Sequence, residues 1–241
     1  MEKNIFEKKF ILRVSDFSCF DTLKPSAILD FFQDVAGQHA DILGIGFDDL
    51  IAKDLIWVLL RTKFDIIKNP KLYSEVIVKT WPHAKGKLDF DRDYLITDLD
   101  GNELIKGTSK WVVVNYRTRR LTLNSHIEYN CIPLSKKNYE EPFNKLNDFE
   151  INAGLKCFEY KTLFTDLDHN GHVNNIKFSD MILNALELNS TEEILAFEIN
   201  YLKELQKDLT IKNYVLRNEK EIYVKGVASD SNIYLAKITL K

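Results

Sequence analysis

Cysteine is scarce: Cys19, Cys131 and Cys157 are far apart, with no Cys-x-x-Cys pair. That argues against a disulfide framework and against a zinc ribbon, and favours a reducing compartment. No apolar run approaches the ~20 residues needed to cross a bilayer. The start of the chain, MEKNIFEKKFILRV, lacks the apolar core of a signal peptide. Neither sign of charge is in excess: 33 Lys and Arg stand against 36 Asp and Glu, for a net charge of -3. A nucleic-acid-binding protein would carry a basic surplus. These absences predict a cytoplasmic protein with no nucleic-acid partner and no membrane span. What remains is an ordinary globular composition, 45% hydrophobic and 29% charged over 241 residues, enough for one large domain or two small ones.

Residues 25–44, PSAILDFFQDVAGQHADILG, repeat apolar side chains at helical spacing over a wide face (Ile28, Leu29, Phe31, Phe32, Val35, Ala36, Ala40, Leu43). Pro25 suits a first turn and Gly44 a left-handed cap past the end. So apolar a helix must be covered on most sides. Strand-like segments follow at 55–67, 74–81, 87–97 and 103–116, rich in β-branched and aromatic residues. The third alternates Leu88, Phe90, Arg92, Tyr94, Ile96, the pattern of a half-buried strand. Asp100-Gly101 reads as a hairpin turn.

The order then repeats. FILRV at 10–14 precedes the first helix; FEYKTLF at 158–164 precedes a second helical pattern through Val173, Ile176, Phe178, Met181, Ile182, Ala185, Leu186 and Leu188. Strand-like segments follow at 194–205, 209–218, 221–229 and 233–241. Phe10 against Phe158 sets the offset near 148 residues, which is a tandem duplication. The polar stretch at 135–150, SKKNYEEPFNKLNDFE, has linker composition. The predicted fold class is α+β: two tandem hot-dog repeats, each a central helix wrapped by an antiparallel sheet. The N-terminal repeat is expected at 1–134, a linker at 135–150 and the C-terminal repeat at 151–241. Pairing the two sheets would close edges that each exposes alone. A paired repeat needs no second subunit, and a homodimer stays open.

One stretch concentrates chemistry: TDLDHNGHVNN at 165–175, directly ahead of the apolar run IKFSDMILNAL. Asp166, Asp168, Asn170 and Gly171 fit the first positions of a calcium loop, but the twelfth, which needs a bidentate Glu, is Lys177, and the upstream flank reads as a strand. His169 and His172 suggest zinc, yet no spacing demands a third ligand. No metal and no cofactor is expected. A plain turn and helix cap accounts for an Asn and a Gly. It does not account for His172, Asn174 and Asn175 together at the start of an apolar helix, since buried polar groups need partners. A catalytic corner does: a helix N-terminus offers free N–H groups and a positive dipole end for a developing oxyanion.

Asp168-x-Asn170-x-His172-Val173-Asn174-Asn175 resembles the signature of acyl-ACP thioesterases, where it sits in the second of two hot-dog repeats. The family's Tyr-Arg-Arg-Glu-Cys segment, on a following strand, is matched by Tyr201-Leu202-Lys203-Glu204-Leu205; Glu is kept and Leu205 stands at the Cys position. Further likeness lies in Arg13, Gln33-Asp34-Val35-Ala36-Gly37-Gln38-His39, Trp57-Val58-Leu59 before Arg61, Thr80-Trp81 and Trp111-Val112, so that the resemblance covers residues 8–228.

The resemblance implies hydrolysis of acyl-acyl carrier protein, releasing a free fatty acid and ending chain elongation. With Leu205 and no Gly-x-Ser-x-Gly elbow, direct attack by water is the simplest route. Asp168, Asn170, His172 and Glu204 are the expected catalytic set, with either Glu204 or Asp168 as general base. His172 would orient water or protonate the leaving thiolate. Asn170, with backbone N–H groups from Gly171 to Asn174, would hold the oxyanion. Asn174 and Asn175 are expected to contact substrate. The first repeat's matching loop, SDFSCFDTLKP at 15–25, has no His and no Asn. Its helix and sheet are expected to line the acyl chain, with Phe31, Phe32, Trp57 and Leu59 as wall residues, or to be ordinary core. Acyl carrier protein is acidic, so a basic surface should meet it. Arg117, Arg119 and Arg120 form the main candidate, beside Lys136-Lys137 and Lys203 with Lys207. Fold alone does not choose among acyl-ACP thioesterase, acyl-CoA thioesterase, hydratase and a non-catalytic acyl-binding module.

Overall fold

A computed structural model describes residues 4–123, 127 and 132–241; Cys131 lies outside them. The chain divides into two units, one of Met1–Leu23 with Ala27–Phe143, the other of Asn144–Lys241 with Lys24–Ser26. Each is a hot-dog repeat.

In the first unit, β1 (Phe6–Ile11), β2 (Leu55–Ile66), β3 (Glu75–Pro82), β4 (Asp89–Thr97) and β5 (Glu103–Asn115) form an antiparallel sheet in the order β1-β3-β4-β5-β2. Helix α1 (Pro25–Ile42) is the predicted apolar helix. Its Phe31 meets Phe10 of β1 at 4.8 Å between ring centres, and Phe32 stacks on Tyr94 of β4 at 4.2 Å. The Asp98–Asn102 turn joins β4 and β5, with Gly101 N–H donating to the Asp98 carbonyl at 3.2 Å and Asp98 N–H to the Asn102 carbonyl at 3.1 Å. Helix α2 (Phe47–Ile51) is a five-residue turn that periodicity does not reveal.

The second unit repeats this plan. Strands β6 (Lys156–Lys161), β7 (Ile194–Tyr201), β8 (Thr210–Asn218), β9 (Glu221–Ala228) and β10 (Ser231–Leu240) run in the order β6-β8-β9-β10-β7. Helix α3 (Asn175–Leu186) packs Phe178 on Tyr201 of β7 and Tyr234 of β10.

The leading strands sit earlier than expected. β1 ends at Ile11 and β6 at Lys161, and each is followed by one turn of 3-10 helix, Val14–Asp16 and Phe164–Asp166. The cause is a carboxylate: Asp16 accepts the Arg13 N–H and Asp166 the Leu163 N–H, both at 2.7 Å. A side chain that satisfies a nearby backbone donor competes with the sheet ladder. The duplication offset is therefore 150 rather than 148: Phe6 matches Lys156, Ile11 matches Lys161 and Asp16 matches Asp166.

β4 alternates only over its first half. Phe90, Arg92, Tyr94 and Ile96 are buried as expected, but Asp93, Leu95 and Thr97 are buried as well. Their face is covered by the stretch read as a linker. It forms no helix or strand, yet Asn138 donates its N–H to Asp93 Oδ2 at 2.6 Å and its amide to the Tyr94 and Gly107 carbonyls at 2.7 and 2.9 Å. Trp81 Nε1 donates to the Lys136 carbonyl at 3.0 Å, and Arg61 to that of Phe143 at 2.7 Å. Residues on the other side of the division are anchored likewise within their own unit: Leu146 N–H bonds Asn200 Oδ1 at 2.7 Å, and Lys225 pairs with Asp148 at 2.6 Å. Beneath this cover, His83 Nε2 lies 3.0 Å from Asp93 Oδ2 but without hydrogen-bond alignment.

Gly107 of β5 lies directly against Phe32 of α1. A Cβ there would overlap the Phe32 ring and come within 3.1 Å of the Lys63 carbonyl. Gly107→Ala should lower stability by about 1–3 kcal/mol through overpacking, read as a shifted urea midpoint. An unchanged midpoint would mean that Phe32 can leave Tyr94 at no cost.

Candidate active site

The site loop begins where β6 ends. Asp166 is buried; besides the Leu163 N–H it accepts the Tyr160 hydroxyl at 3.0 and 3.2 Å. Its carbonyl accepts the Asn174 N–H at 2.8 Å, and an isolated bridge from Leu167 to Val173 closes the loop. Inside, Asp168 Oδ1 accepts the N–H groups of Asn170 at 2.8 Å and His172 at 3.2 Å. The Asp168 N–H returns to the His172 carbonyl at 2.8 Å. Asp168 thus organises the turn that presents the two side chains after it. Gly171 completes that turn at φ +79°.

At the start of α3, Asn174 Oδ1 accepts the Ile176 N–H at 3.0 Å, a helix N-cap. The Tyr201 hydroxyl reaches the Asn175 carbonyl at 3.4 Å, and burial raises its pKa well above the usual phenol range, so it is a neutral donor. The backbone donors expected to hold an oxyanion are committed elsewhere. Gly171 N–H bonds the Asp168 carbonyl, His172 N–H the Asp168 carboxylate, Val173 N–H the Leu205 carbonyl and Asn174 N–H the Asp166 carbonyl. The Asn175 N–H, first of the helix, has no acceptor among the described residues.

Glu204 is on a loop, not on a strand as the resemblance implies. β7 stops at Tyr201, because the Leu202 and Lys203 N–H groups both turn to the Ile233 carbonyl, at 2.8 and 3.2 Å. The Val173 N–H then binds the Leu205 carbonyl at 2.8 Å, drawing this loop against the site loop. As a result His172 Nε2 stands 3.4 Å from Glu204 Oε2, both partly exposed. That is long for a hydrogen bond. Leu205 itself is buried.

The first unit holds the same loop without the chemistry. Ser18 N–H bonds the Thr22 carbonyl at 2.8 Å, Asp21 N–H bonds the Ser18 carbonyl at 3.2 Å, and Phe17 bridges Leu23. At the offset of 150, Ser18 replaces Asp168, Phe20 replaces Asn170, Asp21 replaces Gly171 and Thr22 replaces His172. The supporting residue Tyr160 escapes a motif search, and Asp166, which the sequence offers only as a calcium-loop position, is marked as a loop former by its match to Asp16 at this offset.

The expected acyl-wall residues lie in the first unit. Phe31 and Phe32 are buried in the core contacts described above. Trp57 donates to the Ile45 carbonyl at 2.9 Å and packs edge-on to Phe90, against a cluster with Leu43, Leu50 and Val113. Leu59 is half-buried beside a bulge in the β2–β5 pairing. Of the docking candidates, Arg117 is paired with Asp54 at 2.8 Å, and Arg119 and Arg120 form the turn after β5 through main-chain bonds with Asn115. Lys136 lies over the Trp81 ring, Lys203 bonds Ser231 and Lys207 pairs with Asp208. Cys19 and Cys157 are exposed free thiols. Among the described residues no three His, Cys, Asp or Glu side chains converge as a metal site, and no helix is long and apolar enough to cross a membrane.

Residues 3–126 match the family model for the acyl-ACP thioesterase N-terminal domain, and residues 152–236 that for the C-terminal domain. An oleoyl-acyl carrier protein thioesterase of Arabidopsis thaliana, chloroplastic, is 30% identical over 84% of this chain and 60% of its own length. A chloroplastic acyl-[acyl-carrier-protein] hydrolase of Cuphea viscosissima is 27% identical over 86% of this chain and 54% of its own. The chain thus spans between half and two thirds of these curated relatives. A solved acyl-ACP thioesterase from Bacteroides thetaiotaomicron superposes with a TM-score of 0.86 at 24% identity, covering 100% of both chains. The 12:0-ACP thioesterase from Umbellularia californica gives 0.85 at 23%, covering 98% and 97%. These two likenesses establish the fold.

Gly171 has open space where a Cβ would stand, so the cost of replacing it is the backbone's alone. Gly171→Ala should cost about 1–2 kcal/mol at its positive φ. Gly171→Asp should cost less, because Asp21 holds φ +56° in the matching loop. Equal losses in chemical denaturation would argue against a shared loop geometry.

Proposed function

The chain belongs to the acyl-ACP thioesterase family, and on that premise we propose that it hydrolyses the thioester of acyl-acyl carrier protein, releasing a free fatty acid. The observation that carries this reading is the approach of His172 Nε2 to Glu204 Oε2, 3.4 Å apart on separate loops. An imidazole and a carboxylate facing each other beside a helix N-terminus suit proton transfer at a carbonyl that becomes an oxyanion.

Glu204 is the general base. Asp168, whose Oδ1 already accepts two N–H groups, serves as organiser of the loop. Glu204 takes a proton from water as the water oxygen adds to the thioester carbon. The Asn170 amide, with the Asn175 N–H and side chain, stabilises the tetrahedral oxyanion. The C–S bond then breaks, and the phosphopantetheine thiolate leaves with a proton from His172 Nε2. Glu204 returns its proton to His172 across their contact, so the site ends as it began. Leu205 at the family's cysteine position and the facing acid–imidazole pair both support attack by water rather than by a protein nucleophile. Arg119 and Arg120, in the turn after β5, are the proposed contacts for the acidic carrier, with Arg117 beside them. Exposed free thiols at Cys19 and Cys157 support a reducing compartment, read here as the cytoplasm.

Thiol release should be measured with palmitoyl-ACP and oleoyl-ACP beside the same acyl groups on CoA. Glu204→Gln is expected to lower kcat by about 10²–10⁴-fold, the typical share of a general base. Asn170→Ala is expected to lower it by about 10²–10³-fold, the usual loss for one oxyanion donor. Faster turnover of the CoA esters would point to an acyl-CoA thioesterase. No thiol from any ester would leave a hydratase or an acyl-binding module. Replacing Arg119 and Arg120 by Gln should raise KM for acyl-ACP at low salt, with the difference shrinking at high salt. A KM unchanged at low salt would remove the turn after β5 from the docking surface.

A further inference from the structure

We infer that Thr162 is a positioning residue, whose buried hydroxyl fixes the loop that carries Glu204. The inference rests on the thioesterase reading above and names a residue that holds its general base in place. Thr162 is fully buried at the end of β6. Its Oγ1 donates to the Gln206 carbonyl at 2.8 Å, with the Leu209 carbonyl at 3.1 Å, and accepts the Leu209 N–H at 3.1 Å. Its backbone adds two bonds to the same segment: Thr162 N–H to the Leu209 carbonyl at 2.9 Å and Asp208 N–H to the Thr162 carbonyl at 3.1 Å. The hydroxyl therefore ties the strand entering the site loop to the second half of the loop between β7 and β8.

The duplication separates this from a requirement of the fold. The matching residue in the first unit is Leu12, equally buried, with its own N–H on the Ser74 carbonyl at 3.0 Å. The scaffold accepts an apolar side chain at this point. The polar one occurs in the copy that carries His172 and Glu204. A hydroxyl buried at such a point is unfavourable unless its bonds are made, and here they are made to the segment two residues past Glu204. The Glu204 carboxylate is partly exposed and 3.4 Å from His172 Nε2. Main-chain bonds to Ile233 hold Leu202 and Lys203, and Val173 holds Leu205. Thr162 extends that fixation from Gln206 to Leu209 through a side chain, and so can be tested by substitution.

Thr162→Val keeps the shape and removes the hydroxyl; Thr162→Ser keeps the hydroxyl. With palmitoyl-ACP, Thr162→Val should lower kcat by about tenfold with KM within about twofold, since small misplacements of a reacting group cost rate more than binding. Thr162→Ser should restore most of the loss. In a Glu204→Gln background, Thr162→Val should add less than about twofold, because its effect passes through Glu204. Amide hydrogen exchange should quicken at 205–209 in Thr162→Val and not in Thr162→Ser. Wild-type kcat in a folded Thr162→Val enzyme, or a full tenfold loss persisting in Glu204→Gln, would overturn the inference. If the wild type releases no thiol, the thioesterase reading fails, and exchange decides the positioning: unchanged protection at 205–209 in Thr162→Val would overturn it as well.

Discussion

The hydrogen bond from the Val173 N–H to the Leu205 carbonyl, 2.8 Å long, is the constraint on which the site depends. It joins two loops that the sheet leaves apart: one enters α3, the other leaves β7. Both residues are buried, so water does not compete for the bond. On either side of it stand His172 and Glu204, the two groups that face each other. Their adjacency follows from one main-chain bond flanked by apolar side chains, and neither polar residue has to supply the energy that brings them together.

The matched loops of the two units show how scaffold and chemistry separate. Asp16 and Asp166 make the same bond to the residue three before, and Phe17–Leu23 and Leu167–Val173 close the same bridge. The turn geometry needs a small polar acceptor at Ser18 or Asp168 and a residue able to hold positive φ at Asp21 or Gly171. Within those limits the remaining positions are free. In the second unit they carry a carboxamide and an imidazole; in the first, a phenyl ring and a hydroxyl. A structural demand for the loop explains why it persists in the copy that lacks His and Asn.

Much of this was legible in the sequence, and the misses share a cause. The buried helix at 25–42, the Asp100-Gly101 turn and the tandem order are local patterns, and local patterns are what periodicity and turn chemistry encode. The polar corner at 165–175 was legible because it breaks the apolar pattern of the helix it precedes. What was not legible depends on partners distant in sequence. Asn138 covers β4 by reaching Asp93, Tyr94 and Gly107, so a stretch with linker composition is an anchored cover. Glu204 leaves the strand because two N–H groups share the carbonyl of Ile233. The backbone donors of 171–174 looked free from their place ahead of a helix, yet acceptors in the loop itself claim three of them and Leu205 of the neighbouring loop claims that of Val173. α2 is too short to show a period at all.

Magnitudes decide what holds the acid and imidazole in register. An exposed ion pair is worth under about 1 kcal/mol, because water screens it and ordering two side chains opposes it. The side chains of His172 and Glu204 are 29% and 39% exposed, so any attraction between them is screened in the same way. Their mutual attraction cannot fix a geometry that must be correct to a fraction of an ångström for proton transfer. The bonds around them can: Asp168 to the His172 N–H, Val173 to Leu205, and Thr162 to Gln206 and Leu209 are each made by buried or half-buried groups, and breaking any one leaves a donor or acceptor without a partner. The pair can therefore stay open to water in the free protein and still be aligned. A group bound over the pair would exclude that water, and polar interactions there would then act across a lower dielectric with no rearrangement of the backbone.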